Sequence, residues 1–261
     1  MRSLAIGATG MQAQQLNVEV ISNNIANSST TGYKRQRTEF QDLLYQNMRR
    51  IGSTSSDAGT IVPSGVQIGA GVRTASVYRI MEQGNITVTD NKLDLAINGN
   101  GFFQIQLPTG ETAYTRDGSF ALNPQGQIVT SNGYLLNPGI TINSNAQDIT
   151  VSATGQVQVK IAGTTTPSVV GQINFAGFAN DAGLEAIGDN LYLETPSSGT
   201  ATSGIPGVNG LGRIIQGSLE TSNVNVVQEV TALITAQRAY EMNSKVIKTT
   251  DEMMQTVGQL R

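Results

Sequence analysis

The stretch from Asn225 to Leu260 limits the possible folds more than any other part of the chain. Val226, Leu233, Tyr240, Ile247 and Met254 recur every seven residues, and Ala232, Ala239, Val246, Met253 and Leu260 repeat one position earlier in the same heptad. With Ala236 and Val257 these two rows share one arc of a helical wheel, the pattern of an amphipathic or coiled-coil helix. Arg238, Glu241, Lys245, Lys248 and Glu252 fall opposite. Glu241–Lys245 and Lys248–Glu252 are i,i+4 pairs, each worth about 0.3 kcal/mol. Asn225 with Gln228 resembles a capping box at the helix start. Such a helix is roughly 50 Å long at the usual rise per residue. That exceeds the need of one small domain, so it is expected to pack against something extended.

The other end of the chain answers it. Ser3 to about Asn27 reads as a second helix, with Leu4, Met11, Val18 and Ile25 again seven apart. Ile6, Ala13 and Val20 form a row on another face, and Leu16 lies on a third. Between Arg2 and Lys34 the only charged residue is Glu19. A helix in water keeps a charged face, so this one is expected to be covered on several sides. Ser28-Ser-Thr-Thr-Gly32 ends it, with Gly32 free to turn left-handed.

Composition narrows the function. Charged residues are 13 % of 261, against roughly a quarter in an average domain, and the net charge is −3. A surface so poor in charge repels copies of itself weakly. It also lacks the basic stripe that nucleic-acid binding requires. Without Cys or His the chain cannot build disulfides, thiolate sites, zinc fingers or a Ser-His-Asp triad. Absence of Cys suits a chain that crosses membranes unfolded without forming wrong bridges. No apolar run approaches the roughly 18 residues of a membrane-spanning helix. Met1-Arg2-Ser-Leu-Ala-Ile6 is too short for the core of a signal peptide, so export without a cleaved leader is expected.

Between the helices the pattern is that of strands. Tyr33 to Met48 has mixed charge and a possible short helix at Phe40, Leu43 and Leu44, and Arg49 to Gly71 reads as a low-complexity linker. From Gly71 onward alternating apolar residues are punctuated by turns such as Gln83-Gly84-Asn85, Asn123-Pro-Gln-Gly126 and Asn132-Gly133, an all-β sign. Gly99-Asn100-Gly101 after a strand lacks the third glycine of a dinucleotide site, and Phe102-Phe-Gln-Ile-Gln-Leu107 continues as a strand. These glycines are expected to permit a tight turn instead. Phe102, Phe103, Tyr114 and Phe120 are candidates for the core, and Arg116 beside Asp117 reads as a structural donor or surface pair rather than a catalytic group. Ile214 to Glu220 is expected to add a last strand. The expected fold is α+β: a discontinuous, coiled-coil-like helical domain made of both termini, carrying a central all-β domain.

Two signatures at opposite ends of the chain are similar to those of the flagellar basal-body rod and hook family. Asn23-Asn24-Ile-Ala-Asn27 precedes Thr30-Thr-Gly32-Tyr33-Lys34, and Ser222-Asn-Val-Asn225 precedes Gln237-Arg238-Ala-Tyr240-Glu241-Met-Asn243-Ser-Lys245. A central block from Asp94 to Phe120, and another at Gly183 to Tyr192, also resemble the family. Within it, Tyr45 to Pro63 matches an insertion associated with a straight, stiff rod rather than a bendable hook.

The resemblance implies a division into an N-terminal rod-core helix (1–35), a connector (36–70, insertion about 45–63), a β domain (71–220) and a C-terminal rod-core helix (221–261). It implies a structural subunit of the distal part of the rod, self-assembling into a hollow helical drive shaft around the export channel. Implied partners are other copies, the proximal rod and hook proteins, the outer rings, the export apparatus and a rod-capping protein. The implied place is the basal body, across the periplasm. No catalytic residue, cofactor, metal, nucleic acid or small-molecule substrate is expected. The assembly interface is expected at Leu4, Met11, Val18, Ile25, Val226, Leu233, Tyr240, Ile247 and Met254. A hook or proximal rod subunit is the alternative within the family, and a secreted adhesin or phage-tail fibre trimer the alternative outside it.

Overall fold

The computed structural model describes residues 2–49, 64–161 and 166–259. Most of the expected insertion (residues 50–63) and Leu260 of the second heptad row lie outside them. The chain forms two compact units, one of residues 1–25, 36–78 and 226–261, the other of 26–35 and 79–225.

The first unit contains helices α1 (Arg2–Ala26, up to Ile25) and α2 (Val226–Gln259) and the strands β1 (Gln36–Asp42), β2 (Tyr45–Arg49), β3 (Val66–Gly69) and β4 (Val72–Arg79, up to Tyr78). α2 starts directly after Asn225, as the capping pattern anticipates. No helix among the described residues is long and apolar enough to cross a membrane. β1 pairs with β4 and β2 antiparallel with β3, Tyr45 standing opposite Gly69. The Leu43 N–H bonds Gly71 O at 2.8 Å and the Ala70 N–H bonds Leu44 O at 3.1 Å, so the two pairs join into one ribbon.

The short helix anticipated at Phe40, Leu43 and Leu44 is therefore absent: Phe40 lies on β1, and Leu43 and Leu44 connect β1 to β2. Thr38 and Phe40 alternate with the exposed Arg37 and Glu39, a period of two. The partner that reads this period lies beyond Val66, out of reach of any local window.

The second unit is the β body. Its strands are β5 (Ile86–Val88), β6 (Leu95–Asn98), β7 (Phe102–Gln106), β8 (Thr112–Thr115), β9 (Phe120–Leu122), β10 (Ile128–Thr130), β11 (Leu135–Leu136), β12 (Ala146–Val151), β13 (Gln156–Ile161) and β14 (Ser168–Gln172). After them come β15 (Phe175–Gly177), β16 (Glu185–Gly188), β17 (Leu191–Leu193), β18 (Thr202–Gly204), β19 (Arg213–Gln216) and β20 (Ser218–Glu220). The main sheet runs β16-β17-β8-β7-β11-β10-β9, with β15 also on β7 and β18 beyond it.

Phe102 and Phe103 are consecutive on β7 and so point to opposite faces. Phe103 meets Phe120 and Phe175 edge-on at 5.1 and 5.3 Å, in the larger core. Phe102 joins Tyr114, Tyr192 and Phe178 in the smaller one. The four aromatics read from sequence as core thus divide between two cores. Gly99 and Gly101, at φ 110° and 125°, make the turn between β6 and β7. The last strand read at Ile214–Glu220 is two, broken at Gly217. β19 returns beside β6 with Ile214 opposite Ile97, and β20 beside β5 with Leu219 opposite Thr87.

Candidate assembly surface

α1 and α2 lie side by side and antiparallel. A Cβ on Gly7 would sit 3.0 Å from Ile247 Cγ1, and one on Gly10 2.8 Å from the Asn243 side-chain nitrogen. At the other end the Asn24 amide donates to Glu229 Oε2 at 3.2 Å. On α2 the seam holds buried Glu229, Ala236 and Thr250 with half-buried Leu233, Asn243 and Ile247, at alternating steps of four and three or their sum. On α1 it holds buried Gly7, Ile21 and Asn24 with half-buried Gly10, Gln14 and Asn17. Small and polar residues dominate both sides. They bring the backbones close, but bury little apolar area.

The other side of α1 meets the ribbon. Thr9 Oγ1 accepts from the Val72 N–H at 3.4 Å, and a shallow cavity of about 170 Å³ lies between Arg2, Ala5 and Ile6 and the ribbon residues Gln46, Ile68 and Ala70. The Asn24 side chain closes the end of this contact. Its Nδ2 donates to Gln36 O and its Oδ1 accepts from the Gln36 N–H, both at 2.9 Å, as a neighbouring strand would. Covered on two sides, α1 needs no charged face, which accounts for its near-absence of charge.

Of the nine interface residues read from the heptads, Leu4, Met11, Val18, Ile25, Leu233 and Ile247 are half-buried within this unit. Val226, Tyr240 and Met254 are 40–44 % exposed. The second row on α2 turns away from the seam: Ala232 is exposed, Val246 is 46 % exposed and Met253 61 %. Val227, Ile234 and Met242 add apolar surface on further faces. Thr231, Ala232, Thr235 and Ala239 line, with Gln14 and Asn17, a groove of about 620 Å³ along the pair. On the ribbon Leu44, Tyr45, Met48, Val66 and Ile68 are all exposed. Burying each such side chain is worth about 2 kcal/mol, and this unit leaves that free energy uncollected. Gln237, Arg238 and Glu241 of the C-terminal signature are exposed, while Asn243 sits in the seam.

The rest of the signatures meet in the β body. Asn27 opens the turn after α1, its Oδ1 accepting from Thr30 Oγ1 at 3.1 Å. Gly32 has φ +69°, and a Cβ there would lie 2.8 Å from Asp117 N, so the loop presses its backbone onto the body. Asn190 Nδ2 donates to Thr31 O at 3.1 Å and the Gly32 N–H to Glu220 O at 2.8 Å.

Lys34 is fully buried and donates to Glu220 Oε1 at 2.6 Å and Glu82 O at 2.8 Å. Glu220, also fully buried, accepts from Arg116 Nη1 at 3.3 Å and from the Gly84 N–H at 2.8 Å. Arg116 lies 5.3 Å from the Phe102 ring centre, and its Nε is buried with no hydrogen-bond partner among the described residues. Burial pushes the Lys34 ammonium below its ordinary pKa, with Glu220 pulling it back, and does the same to the Arg116 guanidinium. Arg116 is thus a structural donor, and no surface pair. Asn223 completes the cluster, its Oδ1 accepting from the Arg35 N–H at 2.7 Å and its Nδ2 donating to Ile80 O at 2.9 Å.

Sequence reasoning did not single out Glu220. It is separated from Lys34 by 186 residues and from Arg116 by 104. Its one local signal is an acid closing an apolar strand.

Three family models match the chain. The flagella basal body rod protein model covers residues 4–34, the flagellar hook protein FlgE/F/G D1 domain 96–159, and the flagellar basal body rod FlgEFG protein C-terminal model 215–260. The matched ends contain most of α1 with the Gly32–Lys34 loop, and β20 with all of α2. The flagellar basal-body rod protein FlgG of Caulobacter vibrioides is 63 % identical over 261 residues, the whole of both chains. That of Borreliella burgdorferi is 46 % identical over 100 % of this chain and 99 % of its own, and that of Bacillus subtilis 40 % over the same shares. The chain belongs to the flagellar basal-body rod protein family, alongside the FlgG proteins that it matches from end to end.

Proposed function

We propose that this chain is a structural subunit of the distal rod, and that copies stack helically into a hollow, stiff shaft. The shaft carries torque from motor to hook and encloses the channel through which export substrates pass. The observation that carries this reading is the apolar surface turned away from the α1–α2 seam. A surface displayed identically by every copy, and joined to a different patch of the next, propagates as a ring or an open helix. The end-to-end similarity to rod proteins selects the helix.

In this reading 1–35 and 221–261 supply the rod core and 71–220 the outer body, with the connector and its insertion (36–70) stiffening the packing between copies. The heptad residues from Leu4 to Ile25 and from Val226 to Met254 make the contacts. The partners are further copies, the proximal rod and hook proteins, the outer rings, the rod-capping protein and the export apparatus, which delivers the chain across the inner membrane. The rod spans the periplasm. The chain acts by shape and contact, with no reaction, cofactor or metal.

Electron microscopy of the concentrated protein, paired with analytical ultracentrifugation, tests this. Straight helical rods are expected from the native chain and none from Tyr240→Asp, because a buried unpaired charge costs several kcal/mol. A discrete trimer would point to a fibre instead, and rods formed normally by Tyr240→Asp would remove the heptad from the interface.

A further inference from the structure

The chain passes into or out of the β body at four points: after Ile25, before Gln36, after Tyr78 and before Val226. Three stretches end there, 26–35 and the two ends of 79–225; the last two pair as β20 and β5, and one polar cluster ties all three together. Glu220, on the last segment, holds Lys34 of the first and the Gly84 N–H of the second. Lys34 also donates to Glu82 O, bridging the first segment to the second directly. Asn223 repeats the pattern one step further on, with Arg35 on one side and Ile80 on the other. The Ile80 N–H donates to Arg35 O at 2.8 Å, closing the triangle. Arg116 anchors it to the sheet through Glu220.

We propose that Glu220 and Asn223 act as a knot that couples the three crossing segments into one cooperative element, so that displacing any of them loosens all. The chemistry favours all-or-none behaviour. Glu220 is the only carboxylate in ion-pair contact with Lys34 or Arg116 among the described residues, Asp181 acting on both from further off, and both cations are buried. Withdraw it and two cations remain out of water with no counter-charge in contact. Restoring their hydration requires the Lys34 segment to lift, which frees the Arg35 bonds to Asn223 and to Ile80 in turn. The mechanical meaning rests on the rod reading: force entering by one crossing is then shared by every crossing. The coupling itself is a property of the single folded chain.

Amide hydrogen exchange on the full-length, unassembled protein separates the two. Glu220→Gln keeps the shape and removes the charge. The amides of Gly32, Arg35, Ile80 and Gly84 are expected to exchange faster as a group, each by about tenfold or more, while Ile105 in the central sheet stays as in the native chain. Acceleration confined to Gly84, whose partner is the substituted side chain, would overturn the proposal. Should Glu220→Gln unfold the whole body, so that Ile105 also exchanges, Asn223→Ala decides without burying a charge. A group response of Gly32, Arg35, Ile80 and Gly84 upholds the knot, and a response of Arg35 alone refutes it. Rod formation by the native protein is scored separately, so failure of the rod reading leaves this result intact.

Discussion

At the scale of single residues, the docking loop of the N-terminal signature offers the sharpest test. Gly32 and Gly133 both have positive φ, 69° and 84°, but a Cβ on Gly133 meets nothing within 4 Å while one on Gly32 runs into the Arg116–Asp117 backbone. Gly133→Ala bears the conformational strain alone, about 1 kcal/mol. Gly32→Ala adds a backbone clash, for a total of about 3 kcal/mol. Urea midpoints at constant slope measure the difference. Equal losses would mean that the loop does not press on the body as described. The left-handed turn at Gly32 was legible in the sequence, because glycine after a run of Ser and Thr announces it. Its contact was not, since nothing near Gly32 names Asp117. Glu220 was illegible for the same reason: a lone acid at the end of a strand reads as solvated until its two cations are brought to it from elsewhere.

At the scale of elements, α2 separates two jobs that the heptad alone confounds. Its periodicity announced a long helix with an apolar arc, and the helix is there. The row that faces α1 is Glu229, Ala236, Asn243 and Thr250, of which only Ala236 belongs to the apolar arc; close backbone approach favours small residues, Glu229 bonds Asn24 across the seam, and Thr250 bonds Val246 O of its own helix. Val246 and Met253, the obvious core by pattern, point outward. Val246→Asp should therefore leave the monomer within about 0.5 kcal/mol of the native chain while abolishing rods. Ala236→Leu should do the reverse of that first effect, costing the monomer about 1–3 kcal/mol by overpacking the seam. Thermal unfolding by circular dichroism and electron microscopy read the two. An unfolded Val246→Asp monomer would place that residue in the seam after all. Of the ribbon, β4 was legible from its alternation, but β1 and β2 were missed as strands because they find their partners some twenty to forty residues away along the chain, beyond or within the stretch read as linker.

At the scale of the whole molecule, the β body contains no residue beyond Asn225. Deleting Gln237 to Arg261 should abolish assembly and leave the sheet signal in circular dichroism. A body that unfolds without that segment would show that the helix contributes to its stability. The α+β organisation was legible from end to end, because apolar period changes from seven at the termini to two between them. The order of strands was not, since short strands at even spacing admit many pairings. One of those pairings governs how the molecule comes into being. β5 and β6 lie beside β20 and β19, so the earliest strands of the body are completed by its latest. At about 10 residues per second a ribosome delivers the partners roughly 10 s after the strands that wait for them. For that interval β5 and β6 lack the neighbours they have in the finished sheet, and a growing chain with such edges open is at risk of pairing with another. The low share of β-branched residues on β6, Leu-Ala-Ile-Asn, limits that hazard during translation.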